Sequence, residues 1–246
     1  MDIEVDQDLL KSATLIAGSK QTAQNYAATI LEQHANSVIR NSIGYGMPVW
    51  HLARKDAEQF TQALDNSPHP TEELQKSLRS FRKMNIKPFN NDSYNTNGFD
   101  SGVEAVNTLL RSQAKQHYLK DQAVTYVHPN SIGNILGFYT LSFRIVNLHL
   151  AHSVSKAQYF TVCGSIQIGL DKEHGHDELK EQLLMSALHE LLNSASIVPF
   201  PAITIEIEGG VPDKFGFTAL EDARKFYIPL ATLKKVFVKD RRFRNG

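Results

Sequence analysis

The sequence of 246 residues balances 26 Lys and Arg residues against 26 Asp and Glu residues, so no net charge recruits nucleic acid or a membrane surface. Its 41% hydrophobic and 21% charged content is typical of a globular protein with a real core, and its single cysteine, Cys163, excludes an internal disulfide. No apolar run approaches the ~18 residues of a membrane helix, and the acidic start is unlike a signal peptide. We therefore expect a cytoplasmic protein without membrane contact.

The first part of the chain shows helical periodicity and no strand pattern. Apolar residues recur at helical spacing over residues 9–39 and 51–63. Two glycines and a proline within residues 42–48 separate these two groups. The string Pro70-Thr71-Glu72-Glu73 then has the composition of a helix start.

The composition changes at residues 85–98, which are rich in Asn and typical of a linker. Beyond this stretch helices and strands alternate, so we predict an N-terminal helical region over residues 1–95 and an α/β domain over residues 96–246. The first helix of the domain is predicted to be capped by Asp100 or Ser101. Its apolar face would consist of Val103, Val106, Leu109, Leu110, Ala114 and Tyr118.

Strand patterns follow this helix. Ala123–Val127 and Ile135–Val146 flank turn residues and predict a β-hairpin. The apolar-rich run Thr161–Leu170 predicts a further strand. Leucines at helical spacing then predict a helix, namely Leu179, Leu183, Leu184, Leu188 and Leu191.

A strand end, a turn and a helix start meet at residues 171–176. The start of a helix offers unpaired N–H groups and a positive dipole end, which proteins often aim at a phosphate. Here the helix begins with Asp177 and Glu178, whose carboxylates satisfy the dipole and repel an anion. The segment therefore has the layout of a phosphate site with unsuitable charges.

Several strings of the second domain follow one known order. They are residues 99–110, reading Phe-Asp-Ser-Gly-Val-Glu-Ala-Val-Asn-Thr-Leu-Leu, residues 113–116, residues 123–127, and Ile135–Ser142 with its Tyr-Thr-Leu-Ser end. These strings resemble the opening helix and first strands of bacterial GNAT acetyltransferases, closest to the branch found as toxins in toxin–antitoxin pairs. Later segments keep the same order, so the resemblance covers residues 97–237. It implies a GNAT-like mixed sheet flanked by helices.

The resemblance implies that acetyl-CoA would bind at the turn after the central strand. In the family this turn reads Gln or Arg, two residues, Gly, one residue, then Gly or Ala. Residues 173–178 keep only Gly175, while histidine and glutamate add bulk and charge. If the site is active, the resemblance places the cofactor against Ile168, Gly169, Gly175 and His176.

The family's second hallmark is a Phe-Tyr pair shortly before a Gly-Phe, with the tyrosine as the proposed acid that protonates the departing thiolate. Residues 209–214 read Gly-Gly-Val-Pro-Asp-Lys and contain no tyrosine. A rival alignment takes residues 221–227 as the family's helix and makes Tyr227 the acid. The competing interpretation assigns residues 226–233 to the last strand, with Tyr227 packed on the sheet.

Two further groups of polar residues form weaker patterns. His174 and His176 stand among carboxylates at the turn, but their spacing matches no metal signature, so no metal is predicted. The C-terminal tail interleaves cations with aromatics, a pattern that contacts RNA or DNA in some proteins and is solvated in others. Its cations are Lys234, Lys235, Lys239, Arg241, Arg242 and Arg244.

These patterns favour a GNAT-like pseudoenzyme with a degenerate acetyl-CoA site, acting as a non-catalytic binding or scaffolding component. It would contact a protein partner through the N-terminal helical region, and no cofactor is expected. One alternative is an active acetyl-CoA-dependent N-acetyltransferase acting on an aminoacyl-tRNA or protein amine. A second alternative is a nucleic-acid-binding protein that uses the basic tail. Homo-oligomerisation stays open, and the resemblance implies a bacterial mobile-element or defence context.

Overall fold

The computed structural model describes residues 48–81, 85–89, 94–148, 159–195, 199–207 and 211–238. Chain contacts divide the protein into two compact units, Met1–Met47 and Pro48–Gly246. Every helix and strand described belongs to the second unit.

The described residues of this unit form eight strands with helices around them. The strands are β1 (Val49–Leu52), β2 (Lys87–Pro88), β3 (Ala123–Pro129), β4 (Ile135–Leu148), β5 (Tyr159–Leu170), β6 (Ala202–Glu206), β7 (Thr218–Ala219) and β8 (Lys225–Pro229). The helices are α1 (Arg54–Asp65), α2 (Glu72–Ser80), α3 (Glu104–Thr108), α4 (Ala114–Leu119), α5 (Asp177–Ser194), α6 (Val211–Lys214) and α7 (Leu230–Val238). A π-helical turn, Leu109–Gln113, joins α3 to α4. Among the described residues, no helix has the length and apolar character needed to cross a membrane.

The strands form one mixed sheet in the order β2-β3-β4-β5-β6-β8-β7. β3, β4 and β5 pair antiparallel, whereas β5 and β6 are parallel and are connected through α5. β1 pairs in parallel with the end of β4, from Ile145 to Leu148, beyond the point where the pairing of β3 stops at Ser142. The predicted mixed α/β sheet flanked by helices is confirmed.

One face of the sheet is apolar and carries the main core. Alternate residues of the central strands point to it, among them Ile166, Ile168, Ile203 and Ile205, all at most 8% exposed. The leucines of α5 cover this face together with residues of α2 and α7. Full burial of one such side chain contributes ~1.5–3 kcal/mol, so this layer supplies much of the stability.

The opposite face, called here the polar-centred face, carries two smaller apolar clusters. At one end Phe138 packs with Phe99 and with buried leucines of the helix that starts at α3. At the other end Trp50 and Phe60 pack in one cluster with Tyr227. Between the clusters, strand register places Thr125, Thr140, Ser142, Arg144, Ser165, Gln167, Thr204 and Glu206 on this same face.

The predicted hairpin, the strand after it and the leucine-rich helix are confirmed as β3–β4, β5 and α5. The predicted helix start at Thr71 is confirmed as well, because the Thr71 hydroxyl accepts a hydrogen bond from the Leu74 N–H at 3.2 Å and caps α2.

Two details of the helix after residue 100 were predicted wrongly. The helix begins at Glu104, because Gly102 has a φ of +76° that ends the preceding turn. Asp100 and Ser101 accept from the N–H groups of Gly102 and Val103 and do not cap the helix directly. Tyr118 is 62% exposed, since the π-helical turn shifts the apolar face before that position is reached.

Residues 48–95 belong to the same compact unit as the sheet, which differs from the predicted boundary at residue 95. The four residues of β1 are too few for a periodic pattern to reveal. α1 contributes Phe60 to the polar-centred face, and α2 contributes Leu74 to the main core. The helices predicted over residues 9–39 lie outside the described residues.

We expect Leu74→Ala to lower the free energy of unfolding by about 2–5 kcal/mol, because the side chain is fully buried in the main core. Lys76→Ala, on the exposed side of the same helix, should change it by less than about 0.5 kcal/mol. Urea unfolding followed by the fluorescence of Trp50, the single tryptophan, measures both variants. Equal midpoints for the two variants would mean that α2 does not belong to the folded sheet unit.

Candidate functional site

The turn between β5 and α5 is organised by one carboxylate, that of Asp171. Its Oδ1 accepts hydrogen bonds from the N–H groups of Glu173 at 3.0 Å and His174 at 3.2 Å, and from the His174 Nδ1–H at 2.8 Å. The Asp171 carbonyl accepts from the Gly175 N–H at 2.6 Å. Successive N–H groups in a turn form an anion-binding nest. Here a side chain of the same turn occupies the nest.

Asp171 is ionised although it is buried. Burial raises its pKa. The hydrogen bonds from the His174 ring and from the N–H groups of Asp100, Glu173 and His174 together lower the pKa by more than burial raises it, so the pKa lies below the ordinary value of an aspartate. The nest therefore holds a full negative charge at neutral pH.

The same carboxylate joins the turn to the loop before α3. Asp171 Oδ2 accepts from the Asp100 N–H at 3.2 Å, and the Lys172 N–H donates to the Asp100 carbonyl at 2.8 Å. Asp100 also accepts from Asn107 Nδ2 at 3.0 Å and pairs with Lys172 Nζ at 2.7 Å. The Lys172 ammonium, followed by the Gly102 N–H, holds the pKa of Asp100 well below its usual range. Two aspartates thus hold the two loops in contact.

His176 caps α5, and its acidic neighbours do not. The His176 Nδ1 accepts from the Leu179 N–H at 3.1 Å, which places the proton of the neutral ring on Nε2. Glu178 Oε1 accepts from the Gln182 side chain at 3.4 Å, one turn further along the helix, and Asp177 is exposed. The N–H groups of His176, Asp177 and Glu178 have no acceptor among the described residues. The carboxylates of Asp177 and Glu178 therefore do not accept hydrogen bonds from these N–H groups.

The two glycines that the resemblance assigned to the cofactor are required by the packing of the chain itself. A Cβ on Gly175 would lie 2.5 Å from the Asp171 carbonyl oxygen, and a Cβ on Gly169 would lie 2.3 Å from Phe138 Cε1. Both distances are shorter than any real Cβ contact. Their glycine identity is thus explained without a ligand.

β5 and β6 separate just before this turn. Their parallel pairing runs from Gly164 to Gln167 on β5, whereas β5 itself continues to Leu170. On that side, no described strand pairs with the last three residues of β5, including Ile168 and Gly169. An open strand edge can receive main-chain hydrogen bonds from an extended, amide-containing ligand.

The structure places no tyrosine at the expected acid position. The one-turn helix α6 precedes Phe215-Gly216-Phe217, and none of its four residues is a tyrosine. Tyr227 lies in β8, so the alignment that made residues 221–227 a helix is wrong.

The Tyr227 side chain is fully buried, with its ring centroid 4.7 Å from that of Phe60. Burial raises the pKa of Tyr227 to about 12, and the charge of Asp56 adds to the rise. The Thr218 side chain opposes this rise without making a hydrogen bond of normal geometry. The Tyr227 hydroxyl thus makes no hydrogen bond of normal distance and angle within the described structure.

Cys163 and the histidines of the turn have structural surroundings. Cys163 is fully buried, and burial raises the pKa of its thiol to about 12, which suits packing and not nucleophilic attack. His174 and His176 are engaged by Asp171 and Leu179 as described. Within the part of the chain that the structure describes, no three His, Cys, Asp or Glu side chains are grouped to hold a metal ion.

The first two cations of the predicted basic tail lie in α7. Lys234 is exposed, whereas the Lys235 ammonium donates to the carbonyls of Ser67 and Pro68. Lys235 is therefore tied to the fold. The other tail cations, Lys239, Arg241, Arg242 and Arg244, lie outside the described residues.

From the sequence, Asp171 counted only among the carboxylates near His174 and His176, and its role in the turn was not predicted. An aspartate at the start of a turn commonly accepts from the N–H groups two and three positions ahead, and Asp171 does so directly after β5. This local signal was present in the sequence. The link from Asp171 to Asp100 spans 71 positions and has no such signal.

Solved structures with a similar fold include KacT and AtaT. The alignment with a tyrosine-to-phenylalanine variant of KacT has a TM-score of 0.53 and 20% identity, and covers 63% of this chain and 100% of that one. The alignment with AtaTR bound with AcCoA has a TM-score of 0.53 and 17% identity, covering 62% and 96%. AtaT complexed with acetyl-methionyl-tRNAfMet aligns with a TM-score of 0.50 and 18% identity, covering 63% and 99%.

These structures are toxin acetyltransferases of the GNAT fold, and the described unit shares that fold. No protein-family model matches the sequence. A search of curated proteins also found no match.

We expect Asp171→Asn to lower the free energy of unfolding at pH 7 by about 1–2 kcal/mol, since hydrogen bonds to a charged acceptor become neutral ones. The folded-state pKa of Asp171 is depressed, so its contribution is present above the unfolded pKa, about 3.9, and is lost as pH falls through the folded pKa. The difference in free energy of unfolding between wild type and variant should therefore disappear below about pH 4.

Thermal unfolding of both proteins between pH 2 and pH 8 measures this gap. Glu173→Gln is the matched control, because that side chain is exposed in the same turn and should change stability by less than about 0.5 kcal/mol. A gap that stays constant across the acid range would contradict a charged Asp171.

Proposed function

We propose that this protein is a non-catalytic member of the GNAT fold, a binding or scaffolding component that contacts a macromolecular partner and transfers no acetyl group. The observation that carries the proposal is the Asp171 carboxylate in the nest of the β5–α5 turn. The family resemblance assigns this turn to the pyrophosphate of acetyl-CoA. In this chain a fixed negative charge occupies it.

A phosphate brought to this turn would meet strong repulsion. Two unit charges ~4 Å apart repel by about 4 kcal/mol at an effective dielectric constant near 20, and a pyrophosphate carries more than one charge. The Asp171 side chain can move out of the turn only if the four hydrogen bonds that its carboxylate accepts are broken. The turn therefore fits the cofactor poorly.

The absence of a proton donor gives a second line of support. Residues 211–214 contain no tyrosine, and the hydroxyl of Tyr227 is buried in an apolar cluster on another strand. A group with a pKa near 12 and no access to solvent is a poor acid for a departing thiolate.

Support for a macromolecular partner comes from exposed apolar side chains. Tyr118 and Leu119 are 62% and 70% exposed at the end of α4, and Val124 is 38% exposed at the start of β3. Exposed apolar side chains can contribute to interaction surfaces. We take the partner to be a protein, with the N-terminal helical region adding to the contact, in a bacterial mobile-element or defence setting.

A second candidate is an acetyl-CoA-dependent N-acetyltransferase that acts on an aminoacyl-tRNA or protein amine. The open edge of β5 after Gln167 favours it, because the amide groups of an extended arm can pair there. The N–H groups of His176, Asp177 and Glu178 would remain available to a phosphate. AtaT, of similar fold, has been solved with acetyl-methionyl-tRNAfMet.

Titration calorimetry with acetyl-CoA separates the two candidates. For the wild type we expect no saturable binding tighter than about 100 µM. Asp171→Asn should bind acetyl-CoA at least ~10-fold more tightly than wild type. Removing the negative charge ~4 Å from the phosphate should improve the binding free energy by more than ~1.4 kcal/mol. Glu173→Gln is the control and should behave as the wild type.

Wild-type binding tighter than that limit, together with release of free coenzyme A when aminoacyl-tRNA is added, would establish the second candidate. Equal and weak binding by wild type and Asp171→Asn would show that the Asp171 charge is not what closes the turn.

A further inference from the structure

A row of buried polar side chains crosses the polar-centred face between its two apolar clusters. Thr125, Thr140, Ser165 and Thr204 are each at most 4% exposed. The Thr125 and Thr140 hydroxyls lie 2.9 Å apart, and Thr204 donates to the Gly164 carbonyl at 3.1 Å. The same strands are apolar on their other face, so this polarity is local. The hydrogen bonds of these hydroxyls offset the cost of burial, so the sheet keeps a polar strip between its two apolar clusters.

Arg144 lies in this row with its charge weakly paired. The residue is 6% exposed, and its Nε donates to Ser165 Oγ over a long 3.4 Å. Its ion-pair partner, Glu206 Oε2, lies 3.7 Å from Nη2, beyond hydrogen-bonding distance. The two Nη groups therefore have no hydrogen-bond acceptor among the described residues. A buried guanidinium is normally held by acceptors at ~2.7–2.9 Å.

The Tyr227 hydroxyl lies in the same part of the molecule, buried and without a hydrogen bond of normal geometry, although the Thr218 side chain is near enough to lower its pKa. Tyr227 pairs with Thr204 across the sheet and packs in the same cluster as Trp50. Arg144 Cζ lies 4.5 Å from the centre of the Trp50 ring. Arg144 donors that have no close acceptor, beside this aromatic ring, suit a ligand that brings acceptors.

Two side chains mark the side from which a ligand would enter. The side chains of Glu206 and Lys225 are 33% and 30% exposed, while that of Arg144 is 7% exposed. Lys225 Nζ lies 5.6 Å from the Trp50 ring, on which Arg144 also stacks. Solvent therefore reaches Glu206 and Lys225 first, and Arg144 lies deeper.

We propose that this part of the polar-centred face is a binding site for a carboxylate group, held by the Arg144 Nη groups beside the Trp50 ring. The planar guanidinium presents parallel donors that match the two oxygens of a carboxylate. The neighbouring Glu206 carboxylate favours a ligand with one negative charge over a phosphate, because like charges repel.

This carboxylate site is distinct from the β5–α5 turn and does not rest on the function proposed above. Arg144 pairs with Cys163, eight positions before Asp171, which is about 26 Å of extended strand. A variant of either site therefore leaves the other intact.

Trp50 is the only tryptophan, so its fluorescence reports directly on this site. Sodium acetate titrated into the full-length protein at constant ionic strength should change the emission saturably, with a Kd below about 10 mM. Arg144→Lys should weaken binding at least ~10-fold, since a lysine ammonium lacks the two parallel N–H donors of the guanidinium. Arg224→Lys, an exposed arginine paired with Asp222 on the surface, is the matched control and should bind as the wild type.

Glu206→Gln provides a test that does not depend on loss of binding. Removing the competing carboxylate should tighten acetate binding by ~3-fold or more. A capped alanine peptide with a free carboxyl end, compared with its amidated form, then shows whether the site prefers a chain end or a small acid. Either preference agrees with a carboxylate site.

Three results would overturn the proposal. The first is a Trp50 emission that does not saturate in either the wild type or Glu206→Gln up to 50 mM acetate, a concentration about fivefold above the highest expected Kd. The second is equal binding by Arg144→Lys and the wild type. The third is inorganic phosphate binding as tightly as acetate at the same ionic strength, which would indicate an unselective response to anions.

Discussion

The carboxylate of Asp171 is the contact on which the candidate site depends. It accepts from two consecutive N–H groups and a histidine ring in its own turn, and from the Asp100 N–H in a loop that is distant in sequence. This single group sets the path from β5 to α5 and fastens the loop before α3 against it. Successive N–H groups in a turn can bind an anion, and here the Asp171 carboxylate of the same turn occupies that position.

The two faces of the sheet differ in the residues that they bury. The apolar face and α5 form the main core, where burial alone explains the residues present. The polar-centred face buries threonines, a serine and Arg144 between two apolar clusters, and packing gives no reason for them. Arg144, whose nearest carboxylate is 3.7 Å away, and the buried Tyr227 hydroxyl lie on this face, and the edge of β5 opens at the end of its polar row.

The features predicted well were those encoded by neighbouring residues. Alternation and leucine spacing identified β3, β4, β5 and α5, and the Thr71 cap followed from its local composition. The features predicted poorly depend on partners far along the chain. β1 has only four residues and exists because it pairs with β4 almost a hundred positions later, so the predicted N-terminal helical region contained no strand.

The sequence by itself determined the GNAT-like order of elements, the single glycine within residues 173–178 and the lack of tyrosine in residues 209–214, because each is a local string of residues. It also placed two carboxylates at the start of α5. Only the tertiary structure decided that these carboxylates point away, that His176 caps the helix and that Asp171 occupies the nest. The reason is physical: a sequence shows which charges are near a turn, but the direction of each side chain depends on the hydrogen bonds it finds in the folded chain. The same holds for Arg144, whose unpaired donors become visible only when four strands bring their polar residues to one face.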